Sequence, residues 1–192
     1  MKKPRRRRIG FTLLEVLLTI SILSILMGLL FASLKAVRRY SREVSTRTEL
    51  ANLEAAFRMF YDHYGYWPLE TNSESEDVEI TINTKIINTL SGRAPEENDP
   101  DLNPDRIPFF EIFRIKDGNA VNAWGETYGE PYQAKFDTNG DNTLANPVYE
   151  LGDPNNSENP PTFYRSVIVW TLHPDFQNDS TSKKRVLGSW QQ

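Results

Sequence analysis

The apolar run from Phe11 to Ala32, FTLLEVLLTISILSILMGLLFA, constrains this chain more than any other feature, because its 22 residues hold one ionisable side chain, Glu15. As a helix rising 1.5 Å per residue it extends about 33 Å, enough to cross the hydrocarbon core of a bilayer. The run predicts a membrane span. A secretory signal peptide shares the basic start, but its apolar core is usually about 7 to 15 residues long and ends in a small-residue cleavage site. A carboxylate inside a span costs on the order of 2.5 to 3.5 kcal/mol and so asks for a positive partner. No cation lies within the run. A cut between Gly10 and Phe11 would create one, a new α-amino group four residues from Glu15, within reach on the same helix or across packed copies. A signal anchor whose Glu15 is protonated, or snorkels at the membrane edge, accounts for the same residues without a cut.

Charge order sharpens the first of these readings. Lys2, Lys3, Arg5, Arg6, Arg7 and Arg8 put six cations before the run, with no acid among them. Losing them leaves 16 cations against 26 acids, a net charge of −10 instead of −4. Such an acidic body argues against a nucleic-acid partner, which needs a basic surface. The chain has no cysteine, so neither a disulfide framework nor thiolate chemistry is available to it. At 192 residues there is room for an anchor and one modest domain. Lys35, Arg38, Arg39, Arg42 and Arg47 follow the run closely, so the charge bias toward a cytoplasmic N-terminus is slight.

Arg5 to Arg8, Ile9, Gly10, Phe11, Thr12, Leu13, Leu14, Glu15 and Val16 together resemble the class III leader of type IV pilins and type II secretion pseudopilins. The resemblance implies that a prepilin peptidase cuts after Gly10 and methylates Phe11, and that Glu15 registers each subunit in a helical filament. It also implies partners: further copies of the chain, other pseudopilins, an inner-membrane assembly platform and membrane lipid. The head would then be extracytoplasmic, and orientation rests more on this resemblance than on the charge count. Gly10 suits the cut, since a peptidase closing on extended backbone leaves no space for a Cβ. Relatives often carry a proline in the apolar half; this chain has none, so any local melting on assembly would have to centre on Gly28.

No proline occurs between Phe11 and Trp67, which predicts one long helix from Phe11 to near Asp62. Leu50, Leu53, Phe57, Phe60 and Tyr64 place one apolar stripe along it, a stripe that needs a sheet to cover. Ser41 to Glu49 lacks the stripe and is expected to be shielded by neighbouring subunits rather than by its own head. Gly65 and Pro68 end the helix. Strands are predicted over Val78 to Ile82, Ile107 to Lys116, Glu130 to Phe136 and Tyr164 to Leu172, and a short helix over Asn83 to Leu90. The expected fold class is α+β: a leader over 1–10, a transmembrane half-helix over 11–32, an amphipathic stem over 33–64, and a head over 65–192 built on a small antiparallel sheet. The stretches LSG, NPDRIPFFE, NAWGETYGEPYQ and VIVWTLHPD follow the order of similar stretches in the major pseudopilins.

For metal chemistry, Asp137, Asn139 and Asp141 alternate as at the start of an EF-hand loop, but Asn142 and Val148 stand at the glycine and glutamate positions. A plain Asx-rich turn explains the same residues. The major-pseudopilin resemblance also implies a calcium loop near the C-terminus, where Asp175 and Asp179 are candidate donors and Lys183, Lys184 and Arg185 oppose them. Calcium is therefore the one candidate cofactor. No nucleophile and base stand at a recognisable spacing, so no enzyme activity is expected. Glu96, Glu97, Asp99, Asp101 and Asp105 read as a solvated loop, and Trp124, Trp170 and Trp190 as core or interface anchors. The leading function is a structural subunit of a type II secretion pseudopilus. A type IV pilin, or a signal-anchored extracytoplasmic enzyme or binding protein, are the alternatives.

Overall fold

A computed structural model describes residues 12–69, 76–96, 101–111, 114–147, 149, 160–174 and 186–191, apart from the side chains at 29, 32 and 33. It divides into two compact units, Met1–Ser41 and Arg42–Gln192. Helix α1, Leu13–Tyr64, contributes to both.

In the first unit α1 begins behind Thr12, whose hydroxyl accepts the Glu15 backbone N–H at 3.3 Å. Threonine followed three residues later by glutamate is the sequence form of a capping box, and it puts an acid in the first turn, where the helix dipole favours one. Apolar side chains of this unit are widely exposed, among them Leu14, Leu17, Leu23, Ile25 and Phe31. Its hydroxyls are satisfied within the helix: Thr19 donates to the Val16 carbonyl, Ser21 to Leu17 and Ser24 to Ile20, each at 2.8 Å. Among the described residues no helix is long and apolar enough to cross a membrane; the span expected over 11–32 lies partly outside those residues.

In the second unit the C-terminal part of α1 lays its stripe on a sheet. Leu50, Leu53, Phe57 and Phe60 are fully buried, and Phe57 meets Phe136 edge to face at 4.9 Å between ring centroids. The four-stranded antiparallel sheet has the order β1-β4-β7-β8, with β1 Val78–Thr81, β4 Tyr132–Phe136, β7 Val167–Leu172 and β8 Val186–Gly188. Strand β4 alternates, turning Tyr132, Ala134 and Phe136 toward the core beneath α1. Nearly every residue of β7 is buried, because a second cluster of Leu144, Phe163, Ile168, Trp170 and Val186 covers its other face. That double burial is why VIVWTL is a continuous apolar run rather than an alternating one.

Short elements complete this unit: α2 Thr84–Leu90, the hairpin of β2 Ile115–Lys116 and β3 Asn119–Ala120, a single turn α3 Gly125–Tyr128, and the pair β5 Leu144–Ala145 with β6 Thr162–Phe163. Asn83 caps α2, its side chain accepting the Ile86 N–H at 3.1 Å. At the end of α1, Gly65 takes φ +77°, the left-handed conformation that lets the chain turn back, and its N–H returns to the Tyr61 carbonyl at 2.7 Å.

Two expectations are corrected. Among the described residues of the stretch Ile107 to Lys116, strand is confined to β2. Pro108 has no N–H to give a ladder, and the N–H groups of Phe109 and Phe110 both go to the Leu90 carbonyl at the end of α2, at 2.8 and 3.1 Å. Ser41 to Glu49 is not left to neighbouring subunits. Thr46 is fully buried and accepts the Ala123 N–H at 3.2 Å, Arg47 donates to the Gln191 carbonyl at 3.2 Å, and Glu49 pairs with Arg114 and accepts the Tyr132 hydroxyl. The head holds this stretch by polar contacts, which an apolar-stripe criterion does not detect.

Candidate functional site

Gly10 and Phe11 lie outside the described residues. Glu15, the third predicted site residue of the N-terminal segment, is exposed on the first turn of α1. Its surroundings separate it from every other polar group of the run. The hydroxyls of Thr19, Ser21 and Ser24 return to carbonyls three or four residues back, so they carry no unmet hydrogen bond into an apolar setting. Glu15 carries a full charge rather than a hydroxyl and stands in the first turn of α1, where the free N–H groups and the dipole of the helix favour an acid. An amine created at residue 11 would stand beside those same N–H groups. It would add a full positive charge to the end of the helix where the acid already sits.

The loop after β4 is built on side-chain acceptors. The two carboxylate oxygens of Asp137 accept the Gly140 and Asn142 N–H groups at 2.7 and 2.8 Å. Asn139 accepts the Asp141 N–H at 2.9 Å, and one Asp141 oxygen takes both the Thr143 N–H and its hydroxyl at 2.7 Å. Those bonds to Thr143 hold the Asp141 carboxyl below the usual carboxylate range. Asp137, Asn139 and Asp141 therefore use their oxygens to shape the turn. Among the described residues no group of three or more histidine, cysteine or carboxylate side chains is placed to hold a metal ion. Asp175 and Asp179 lie outside the described residues.

Sequence reasoning missed Asp77, which stands beside this loop. Burial holds its carboxyl above the usual range, opposed by Lys135, whose ammonium lies 3.9 Å away, and reinforced by Asp141 and Asp137. One Asp77 oxygen is buried without a hydrogen-bond partner among the described residues. Nothing in TNSESEDVEI marks this aspartate over its acidic neighbours, because its burial comes from the loop across β4. Of the tryptophans, Trp170 is buried in the second cluster, Trp190 stacks on Phe163 at 4.5 Å, and Trp124 meets His173 at 4.6 Å.

Comparison with known families bears on the N-terminal segment. The family model described as the prokaryotic N-terminal methylation motif matches residues 5–31. The match takes in the arginines of the leader, Gly10, Phe11, Glu15 and the first part of α1, and supports a type IV pilin-like N-terminus of the kind processed by prepilin peptidase. No curated protein and no solved structure matches the chain.

Proposed function

We propose that this protein is a structural subunit of a type II secretion pseudopilus, cut after Gly10, methylated at Phe11 and assembled through α1. The observation that carries the proposal is the methylation-motif match over 5–31, which takes in an apolar run whose described side chains are widely exposed and whose one acid is Glu15. Exposed apolar surface of this extent needs lipid before assembly and other subunits after it. Anchoring is proposed through the full apolar sequence from Phe11 to Ala32, with the leader in the cytoplasm and the head outside the inner membrane. The role is structural rather than catalytic. Partners are further copies of the chain, the other pseudopilins, the processing peptidase and the assembly platform.

A type IV pilin subunit is the second reading, because the motif belongs to that N-terminus equally. Deleting the protein separates the two: accumulation of exported enzymes inside the cell supports the pseudopilus, whereas loss of surface fibres with secretion intact supports the pilus. The assembly claim has its own test. The native chain has no cysteine, so single cysteines placed along 16–31 report neighbours cleanly. A crosslinked ladder that depends on Glu15 is expected, and an unchanged ladder in Glu15→Ala would count against its registry role.

A further inference from the structure

We propose that Lys35, Arg38 and Arg39 form a collar on α1 that binds the phosphodiesters of anionic phospholipids in the outer leaflet of the inner membrane. The inference rests on the anchoring set out above, with the leader inside and the head outside. From Val16 to Arg42 the sequence carries four cations, Lys35, Arg38, Arg39 and Arg42, and no acid. Glu43, the next acid, is held by Arg47 at 3.0 Å. Four cations against one acid leave the stretch 34–43 with a net charge of +3. Cations close behind a span oppose the orientation that the leader cations set, because both flanks count toward the positive-inside bias. A cluster that weakens the topology signal calls for another use, and a negatively charged surface at its own depth supplies one.

The placement of the collar fits lipid headgroups. At 1.5 Å per residue, Lys35, Arg38 and Arg39 lie about 4.5, 9 and 10.5 Å beyond Ala32, where the apolar run ends. The headgroup region extends about 5 to 8 Å beyond the hydrocarbon on each side. Side chains of a helix lean toward its N-terminus, here the membrane side, so the long lysine and arginine stems reach back into that layer. Spacings of three and four residues put all three cations on one face of α1, and all three are exposed. Arginine adds a forked pair of N–H groups that matches two phosphate oxygens. Val37 and Tyr40 fall on the opposite face of the same turns, 61% and 70% exposed. An acidic protein surface would satisfy the cations and leave those two side chains in water. The interface of a bilayer takes both, since tyrosine settles there with its ring in the apolar layer and its hydroxyl wet.

The test places the full chain in phosphatidylcholine vesicles with a trace of spin-labelled phosphatidylglycerol or spin-labelled phosphatidylcholine. The motionally restricted fraction of each label, read by electron paramagnetic resonance, gives the relative association of the two lipids. Phosphatidylglycerol is expected to be selected by about fivefold or more at low salt, and the selection should shrink in about 1 M salt. The triple variant Lys35→Gln, Arg38→Gln, Arg39→Gln should retain about a third of that selection or less. Any leader still attached contributes equally to both proteins, so their difference reads the collar alone. A second variant, Lys35→Arg, Arg38→Lys, Arg39→Lys, keeps the charges and should keep most of the selection. Equal selection by the native protein and the triple variant, or its loss in the charge-preserving variant, would overturn the proposal. Alkaline carbonate extraction of the same vesicles reads anchorage separately. Protein released by the wash overturns the anchoring and the collar together, whereas protein retained without lipid selection overturns the collar alone.

Discussion

Glu49 is one of the points where the helix and the head share a charge, and Glu49→Ala should destabilise the head by about 2 to 3 kcal/mol. In the native protein its carboxylate pairs with the Arg114 guanidinium and accepts the Tyr132 hydroxyl. The Glu49 and Arg114 side chains are 18% and 29% exposed, and Tyr132 only 1%. Truncation leaves the Tyr132 hydroxyl buried without its acceptor, a loss of about 1 to 3 kcal/mol. Arg114 keeps its bond to the Asn122 carbonyl at 3.2 Å and some water, so its share falls well below the roughly 3 to 5 kcal/mol of breaking a fully buried pair. Glu49→Gln retains a carbonyl acceptor and should lose only about 1 kcal/mol. The assay is urea unfolding of the full chain in detergent, followed by tryptophan fluorescence, since Trp67 and Trp170 lie in the head. The midpoint should fall at constant slope. A loss below about 0.5 kcal/mol for Glu49→Ala would refute the idea that this contact fastens the stem, because exposed ion pairs are typically worth no more than about 1 kcal/mol.

Three further outcomes follow from the head. Asp137→Ala should lower stability by about 1 to 3 kcal/mol, because the Gly140 and Asn142 N–H groups lose their acceptor, and thermal melts of the variant check it. Burial and the Glu49 charge raise the Tyr132 pKa above its unfolded value of about 10, so the stability this group contributes is present below that pH and is lost as pH rises beyond it. The melting temperature should therefore drop less steeply above about pH 10 in Tyr132→Phe than in the native protein. Gly188→Ala should cost about 1 to 3 kcal/mol on chemical denaturation, since its Cβ would lie 2.5 Å from the Trp190 indole.

The legible parts of the fold were those with a long period or a strong local signal. The stripe from Leu50 to Phe60 marks the buried face of α1 because it repeats over three turns, and Gly65 marks its end. Strand β7 was visible as a β-branched run, and α2 as a short helix within Asn83 to Leu90. Strand β8 was not: Val186 to Gly188 is three residues behind a polar, charged stretch, and its pairing with Trp170 to Leu172 is a long-range fact with no local signature. IPFFEIFRIK misled because its β propensity is real, but Pro108 and the Leu90 carbonyl dispose of its backbone groups differently. Ser41 to Glu49 misled for the opposite reason. Its contacts are hydrogen bonds and ion pairs, which follow no hydrophobic period. At the N-terminus the methylation motif over 5–31 was readable because a short contiguous stretch carries it. Asp77 was hidden because its burial depends on residues across the sheet.

The central claim is that the mature protein begins at residue 11. N-terminal sequencing and intact mass of protein extracted from its native membranes test it directly. The account predicts a first residue of N-methylated Phe11, with the six leader cations gone and the new amine beside Glu15. An intact Met1, or a cut at any other bond, would contradict it.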